Sequence, residues 1–208
     1  PFTNFRDFKL PRPELVRCDN SIYTRHYRPH PPLYDAIVCD PPYGIRAGAR
    51  QSGSTRSEPR PILDAHRHDH IAQTKPYAVS DVMGDLLDVA SRTLVIGGRL
   101  VYIIPSMLDF DTETDLPRHD CLVLTHVCFQ PLQMELGRRM VTMTKVREYD
   151  VTKREVYMAD VWVNGPESAE KCANIRDRLL EVAKSKPGYE EKKAFRKKRR
   201  REEKKAFR

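Results

Sequence analysis

No glycine occurs before Gly44, although the 208-residue chain holds 9. A dinucleotide-like cofactor site needs a glycine-rich turn after its first strand, because glycine alone lets the backbone approach the ligand closely. The stretch before Gly44 therefore lacks such a turn, and the chain is not expected to close a site of that kind unaided. Cysteine is sparse too: Cys18, Cys39, Cys121, Cys128 and Cys172 are odd in number and lack Cys-x-x-Cys spacing. That usage points to reduced thiols in an intracellular protein and away from a disulfide scaffold. No apolar run approaches membrane-spanning length, and the N-terminus shows no signal-peptide pattern. The one tryptophan, Trp162, is expected in the core, and a start at Pro1 in place of Met reads as a fragment or processed product.

Charge is abundant but uneven. The net charge is +8, yet Lys184 to Arg208 contains 13 Lys/Arg against 4 Glu, while the rest of the chain holds 24 basic and 25 acidic residues. Strong nonspecific attraction to RNA phosphate would therefore come from the tail. EEKKAFR occurs there twice, at Glu190–Arg196 and Glu202–Arg208. A solvated charge run, an RNA-binding tail and a nuclear localisation signal all fit that composition.

The most informative stretch is Asp40-Pro41-Pro42-Tyr43, which follows the apolar run Ala36, Ile37, Val38, Cys39 and precedes Gly44. Such a run bounded by turn residues predicts a strand buried on both faces of a parallel sheet. The tetrapeptide then sits at the strand's carboxyl end, where open α/β sheets bind ligands. Its residue types fit methylation of an amine. The lone pair of a nucleobase exocyclic amine is delocalised into the ring, so a catalyst must draw it out of conjugation. A carboxylate (Asp40) and a backbone carbonyl (Pro41), both accepting hydrogen bonds from one NH2, favour the pyramidal amine that can attack a methyl group. Two prolines restrict the backbone around that carbonyl and remove competing N–H donors. Tyr43 offers a face on which a flipped base could stack. The same residues also compose an ordinary polar turn.

Asp-Pro-Pro-Tyr resembles the catalytic motif of class I methyltransferases that use S-adenosyl-L-methionine on exocyclic amines of DNA, RNA or protein glutamine. The longer DPPYGIRAGAR, Asp40 to Arg50, is similar to the catalytic subunits of the eukaryotic tRNA (guanosine-10 N2)-methyltransferases. Asn4-Phe5-Arg6 and Gly137-Arg138-Arg139-Met140-Val141-Thr142-Met143 agree with it. The resemblance covers about residues 1–149 and implies an α/β, Rossmann-like fold: a mostly parallel sheet with helices on both faces, lacking its first strands. It implies Asp40, Pro41, Pro42 and Tyr43 as catalytic residues, and Asp19, Asn20 and Asp40 on the cofactor side. It also implies S-adenosyl-L-methionine as cofactor, tRNA as substrate, and a small zinc-binding methyltransferase activator protein as partner. That partner would add to a sheet edge at Glu14–Cys18, read as the first strand. Asp19-Asn20 is equally compatible with a plain turn. Another exocyclic-amine methyltransferase and a non-catalytic RNA-binding relic are the competing readings, and a cytoplasmic location is expected.

The organisation read from the sequence is a partial methyltransferase domain over 1–165, a helix over 166–186 and a basic tail over 187–208. Residues 44–75 are expected to form a flexible loop in which Arg46, Arg50, Arg56 and Arg60 either meet tRNA phosphates or are simply solvated. His66, His68 and His70 lie there beside Asp69, but no metal site is expected because a rigid frame and a further ligand are wanting. Val79, Val82, Met83, Leu86, Leu87, Ala90 and Leu94 predict a helix, with Asp81, Asp85, Asp88 and Arg92 on its outer face and Gly97-Gly98 as its stop. Arg99–Ile104, Leu122–Phe129 and Met140–Val146 read as strands, with Arg138 and Arg139 just before the last as candidate phosphate contacts or exposed turn residues. Val156–Val163 reads as an extra strand. Glu167–Lys184 reads as an amphipathic helix stopped by Pro187-Gly188.

Overall fold

The computed structural model describes residues 2–27, 32–42, 48–56, 62–68, 70, 73–133, 135–167, 180–182, 184–191, 193–195 and 199. Among them, β1 (Tyr34–Cys39) pairs in parallel with β4 (Leu94–Met107), β4 pairs antiparallel with β6 (Leu136–Lys145), and β6 pairs antiparallel with β5 (Leu122–Gln133). The resulting order, β1-β4-β6-β5, makes a mixed central sheet. A short helix, α1 (Phe2–Asp7), opens the chain, α2 (Val79–Thr93) joins β1 to β4, and α3 (Arg154–Ala159) follows the sheet. The α/β class expected from the sequence is thus present, but the sheet is not mostly parallel: among the described residues β1–β4 is the parallel pairing, at one side of the sheet, and the other two are antiparallel because β5 and β6 are joined as a hairpin.

Helix α2 forms where the apolar spacing predicted it. Met83, Leu86, Leu87 and Ala90 pack on Leu100, Tyr102, Ile104, Val141 and Met143 of the sheet. Each fully buried leucine contributes roughly 1.5–3 kcal/mol, so this single seam holds helix and sheet together. Asp81 lies in the first turn and Arg92 in the last, both with the favourable sign for the helix dipole. The helix stops at Thr93, before the glycines. Buried Lys145 donates from Nζ to the Leu94 carbonyl at 2.7 Å, satisfying an acceptor of the helix end.

Gly97 and Gly98 serve the sheet instead. The β1–β4 register jumps between Tyr34↔Leu94 and Ala36↔Arg99, so β4 carries a bulge there. Gly97 takes a positive φ of 81°, and a Cβ on Gly98 would stand 2.8 Å from the Val95 carbonyl oxygen and 3.0 Å from that of Asp35. Glycine fits a bulge for that reason.

Four other expectations change. The run Ala36–Cys39 is a strand, but β1 is an edge: Ile37 and Cys39 face the core while Val38 is 78% exposed. Glu14–Cys18 forms no strand; Pro11 and Pro13 remove ladder donors just before it, and Leu15 and Val16 are exposed. Val156–Val163 is not a strand, because α3 occupies Arg154–Ala159. Tyr157 is the buried residue of that helix, and Val161 is buried beyond its end. Within 44–75 the described residues include two short strands, β2 (Arg50–Ser52) and β3 (Thr74–Pro76), paired antiparallel. Most of Glu167–Lys184 and of the basic tail lies outside the described residues; residues 189–191 and 193–195 are helical, with Lys193 Nζ 3.3 Å from Glu190 Oε1.

Candidate active site

Asp40 follows directly on Cys39, the last residue of β1 in register with β4, opposite Tyr102. The motif therefore stands at the carboxyl end of a parallel strand. Pro41 is buried, whereas Asp40 and Pro42 are exposed. A proline wedged into the protein holds its own carbonyl and anchors the carboxylate before it, while that carboxylate stays open to a ligand. Tyr43 and Arg46 lie outside the described residues. Beneath Asp40, burial followed by the Asp40 charge raises the Cys39 thiol to about 11. Cys39 is therefore a protonated thiol packed on the core and no nucleophile. Tyr102, fully buried, has its hydroxyl pushed upward by burial and by Cys39.

Asp19 caps a 3-10 helix over Asn20–Arg25 that is kinked at Ile22. Its Oδ1 accepts from the Ser21 amide at 2.9 Å and the Ser21 hydroxyl at 2.7 Å, and Oδ2 accepts from the Ser52 amide of β2. Burial pulls its pKa upward, but the bonds from Ser52 and Ser21 outweigh it and bring the group down to about 2. Asp19 is thus an ionised clamp between the 3-10 helix it caps and the segment after Asp40-Pro41-Pro42. The amides and the hydroxyls of Ser52 and Ser21 all act on this carboxylate, which takes up its acceptor positions. Asn20 is half-buried at the start of the same turn.

The arginines divide. Arg50 lies in β2 and crosses to β3, with Nε on the Thr74 hydroxyl at 2.6 Å and Nη2 on the Thr74 carbonyl at 2.5 Å. Arg138 and Arg139 do not precede the last strand; both lie within β6, whose pairing begins at Leu136. Successive strand residues point to opposite faces, so Arg138 is exposed and Arg139 is buried. The Arg139 guanidinium donates to the Ser106 hydroxyl, to the Met107 carbonyl at 2.9 Å and to the Phe110 carbonyl at 3.5 Å. It also lies 4.6 Å from the Phe110 ring centroid and 4.7 Å from that of Phe129. Arg139 is consumed by the interior and does not reach a phosphate.

Sequence reasoning missed the polar cluster on the far side of α2. Asp88, assigned to the solvent face, is fully buried. It accepts from Tyr23 at 2.8 Å, Tyr149 at 2.7 Å and Arg154 Nε at 2.7 Å. His119 Nδ1 accepts from the Cys121 amide at 3.1 Å, so its ring proton sits on Nε2, facing Asp88 Oδ1 at 3.9 Å, beyond hydrogen-bond reach. Burial acts to raise the Asp88 pKa, and its donors overcome that to hold it below 3.8. Asp85 is buried as well, and there burial dominates and raises its pKa despite the Tyr77 hydroxyl and Arg154. The available signal was the spacing of Asp81, Asp85 and Asp88, a carboxylate stripe that a second layer could cover.

The chain is 46% identical over 157 residues to the tRNA (guanine(10)-N(2))-methyltransferase TRMT11 of Dictyostelium discoideum, covering 71% of this chain and 29% of the relative. It is 41% identical over 128 residues to TRMT11 of Gallus gallus, covering 62% of this chain and 28% of that protein. The figures for TRMT11 of Homo sapiens are 41% over 119 residues, 56% and 26%. This chain thus spans under a third of the length of these relatives. No family model and no solved structure matches it.

Proposed function

We propose, from the kinship of this chain with the tRNA (guanine(10)-N(2))-methyltransferases, that it carries the catalytic motif of such an enzyme and methylates N2 of guanosine 10 in tRNA. The observation that supports this most directly is the seating of Asp40-Pro41-Pro42: an exposed carboxylate and a buried proline at the carboxyl end of a parallel strand. Asp40 and the Pro41 carbonyl accept the two hydrogens of the target amine, withdraw its lone pair from the ring and aim it along the line of attack. Holding the amine in that attitude is worth several kcal/mol of barrier, because a near-attack geometry is then already paid in entropy.

S-adenosyl-L-methionine, when bound, supplies an electrophilic methyl group. Of the residues expected on its side, Asp19 is already bonded by Ser21 and Ser52, and half-buried Asn20 beside it is the polar side chain left to meet it. The glycine-rich turn that would cradle the rest does not occur before Gly44. The small zinc-binding activator protein remains part of this reading, with exposed Leu15 and Val16 as its contact, although Glu14–Cys18 is not a strand.

The test is nucleoside analysis of tRNA methylated by the full-length protein that carries this sequence. N2-methylguanosine at position 10 is expected, and Asp40→Ala is expected to lower its yield at least a hundredfold with thermal unfolding unchanged. Undiminished transfer by Asp40→Ala would refute the role given to that carboxylate.

A further inference from the structure

The pairing of the sheet does not end where β1 ends. The β1–β4 register stops at Cys39↔Tyr102, but β4 and β6 stay paired to Met107↔Leu136, and β5 accompanies β6 to Gln133. The five residues from Tyr102 to Met107 carry a three-stranded arm about 16 Å past the level of the catalytic motif, at about 3.3 Å per residue. The arm therefore stands beside the carboxyl end of β1, within reach of the strand that would flank a nucleotide held at Asp40.

The two sides of the arm differ in chemistry. Ile104, Ser106 and Arg139 are buried on one side, and there Arg139 ties the β4 end to the loop beyond it. The loop on that side is acidic: Asp111 accepts from the Glu113 amide at 2.9 Å and the Thr114 hydroxyl at 3.2 Å. The other side carries the register row Pro105, Arg138, Gln130, with Arg138 and Gln130 exposed. Arg138 lies three residues beyond the Tyr102 level and two strands across from β1, about 10 Å along and about 10 Å sideways. That offset suits a phosphate flanking the target nucleotide, and it is too far for the target base itself.

We propose that this outer side of the arm is the docking surface for the RNA strand flanking the target guanosine, that Arg138 is its phosphate contact, and that Arg139 is a positioning residue that stiffens the arm. The RNA is taken to be tRNA, which rests on the function proposed above. Arginine suits both tasks, as a charge on one side and as a planar donor between two rings on the other.

The experiment measures tRNA affinity against salt concentration, cofactor affinity, methyl transfer and melting temperature for the full-length protein and its Arg138→Ala, Arg138→Lys and Arg139→Lys variants. Arg138→Ala should weaken tRNA binding several-fold and reduce the slope of log affinity against log salt by about 0.7–0.9, the share of one phosphate. Cofactor affinity and melting temperature should stay put, and Arg138→Lys should restore most of the affinity. Arg139→Lys should lower the melting temperature and the turnover while keeping the salt slope. An unchanged affinity and slope in folded Arg138→Ala overturns the surface, and a slope reduced equally by Arg139→Lys overturns the division of labour. If wild-type protein leaves guanosine 10 unmethylated while Arg138 still sets the affinity, the substrate assignment fails and the docking surface stands.

Discussion

Replacing Asp88 by asparagine removes one charge and keeps the side-chain volume. In the native protein this fully buried carboxylate meets two tyrosine hydroxyls and Arg154 Nε, at 2.8, 2.7 and 2.7 Å. Asparagine retains one acceptor oxygen and turns an NH2 toward donors that already point inward. Hydrogen bonds to a charged group contribute about 1.5–3 kcal/mol each, and breaking a buried charge pair by losing one partner costs about 3–5 kcal/mol. Arg154 keeps partial access to water, its side chain being 39% exposed, so the lower half of that range is expected, about 3 kcal/mol. For a domain of this size that corresponds to roughly 6–12 °C in melting temperature. The assay is urea unfolding of the chain followed by the fluorescence of Trp162, which donates from Nε1 to the Ser80 carbonyl of α2 at 3.4 Å and so reports on this junction. The sign of the pH effect follows from the direction of the shift. Because Asp88 titrates below 3.8 in the folded protein, its contribution is complete above the unfolded value and is lost as pH falls through the folded one. Wild type should therefore lose stability below about pH 4 more steeply than Asp88→Asn. A loss under about 1 kcal/mol, or parallel pH profiles, would refute the claim that this cluster fastens α2 to the residues around it. Additive effects of Asp88→Asn and Arg154→Met would refute their coupling.

Two further outcomes are expected. The Asp19 carboxyl should titrate near 2 by NMR, and Ser21→Ala, which removes the 2.7 Å hydroxyl bond, should move its midpoint up toward 3.8; an unmoved midpoint would show that the hydroxyl does not stabilise the carboxylate. Gly137→Ala should cost about 1–3 kcal/mol, because the new Cβ would stand 2.7 Å from the Gln130 carbonyl oxygen across the β5–β6 hairpin, as well as overlapping Phe129. Differential scanning calorimetry checks it, and an unchanged melting temperature would count against so tight a hairpin.

Elements whose signal is local were legible in the sequence. The apolar spacing of α2, the runs of β1, β5 and β6, and the seat of Asp40 after β1 all follow from patterns within a few residues of one another. Readings that depended on distant partners went astray. Asp88 looked solvent-facing because its donors, Tyr23, Tyr149 and Arg154, come from segments more than sixty positions away. Gly97-Gly98 looked like a helix stop, yet at the bulge Gly97 takes a positive φ and Gly98 accommodates the backbone of Asp35 and Val95. Arg139 looked like a phosphate ligand because nothing local reveals Phe110 and Phe129 on either side of it. Val156–Val163 has the composition of a strand, but a six-residue helix with one buried residue, Tyr157, leaves too short a period to read from the sequence. Within the candidate site, the position of Asp40-Pro41-Pro42 at a strand end was readable, while the tie from Asp19 to Ser52 depended on a turn and a strand that only the fold brings together.

The adjacency of Arg138 and Arg139 places a constraint on the length of the β5–β6 hairpin. Side chains in a strand alternate with a period of two, so inserting or deleting one residue between Gln133 and Leu136 without a compensating bulge would exchange the two arginines. The guanidinium held in the gap between Phe110 and Phe129 would turn to water, and its neighbour would turn inward in its stead. Composition, charge and even the dipeptide would be unaltered. In descent, this hairpin should therefore tolerate substitutions more readily than single-residue indels, and length changes that survive should come in twos.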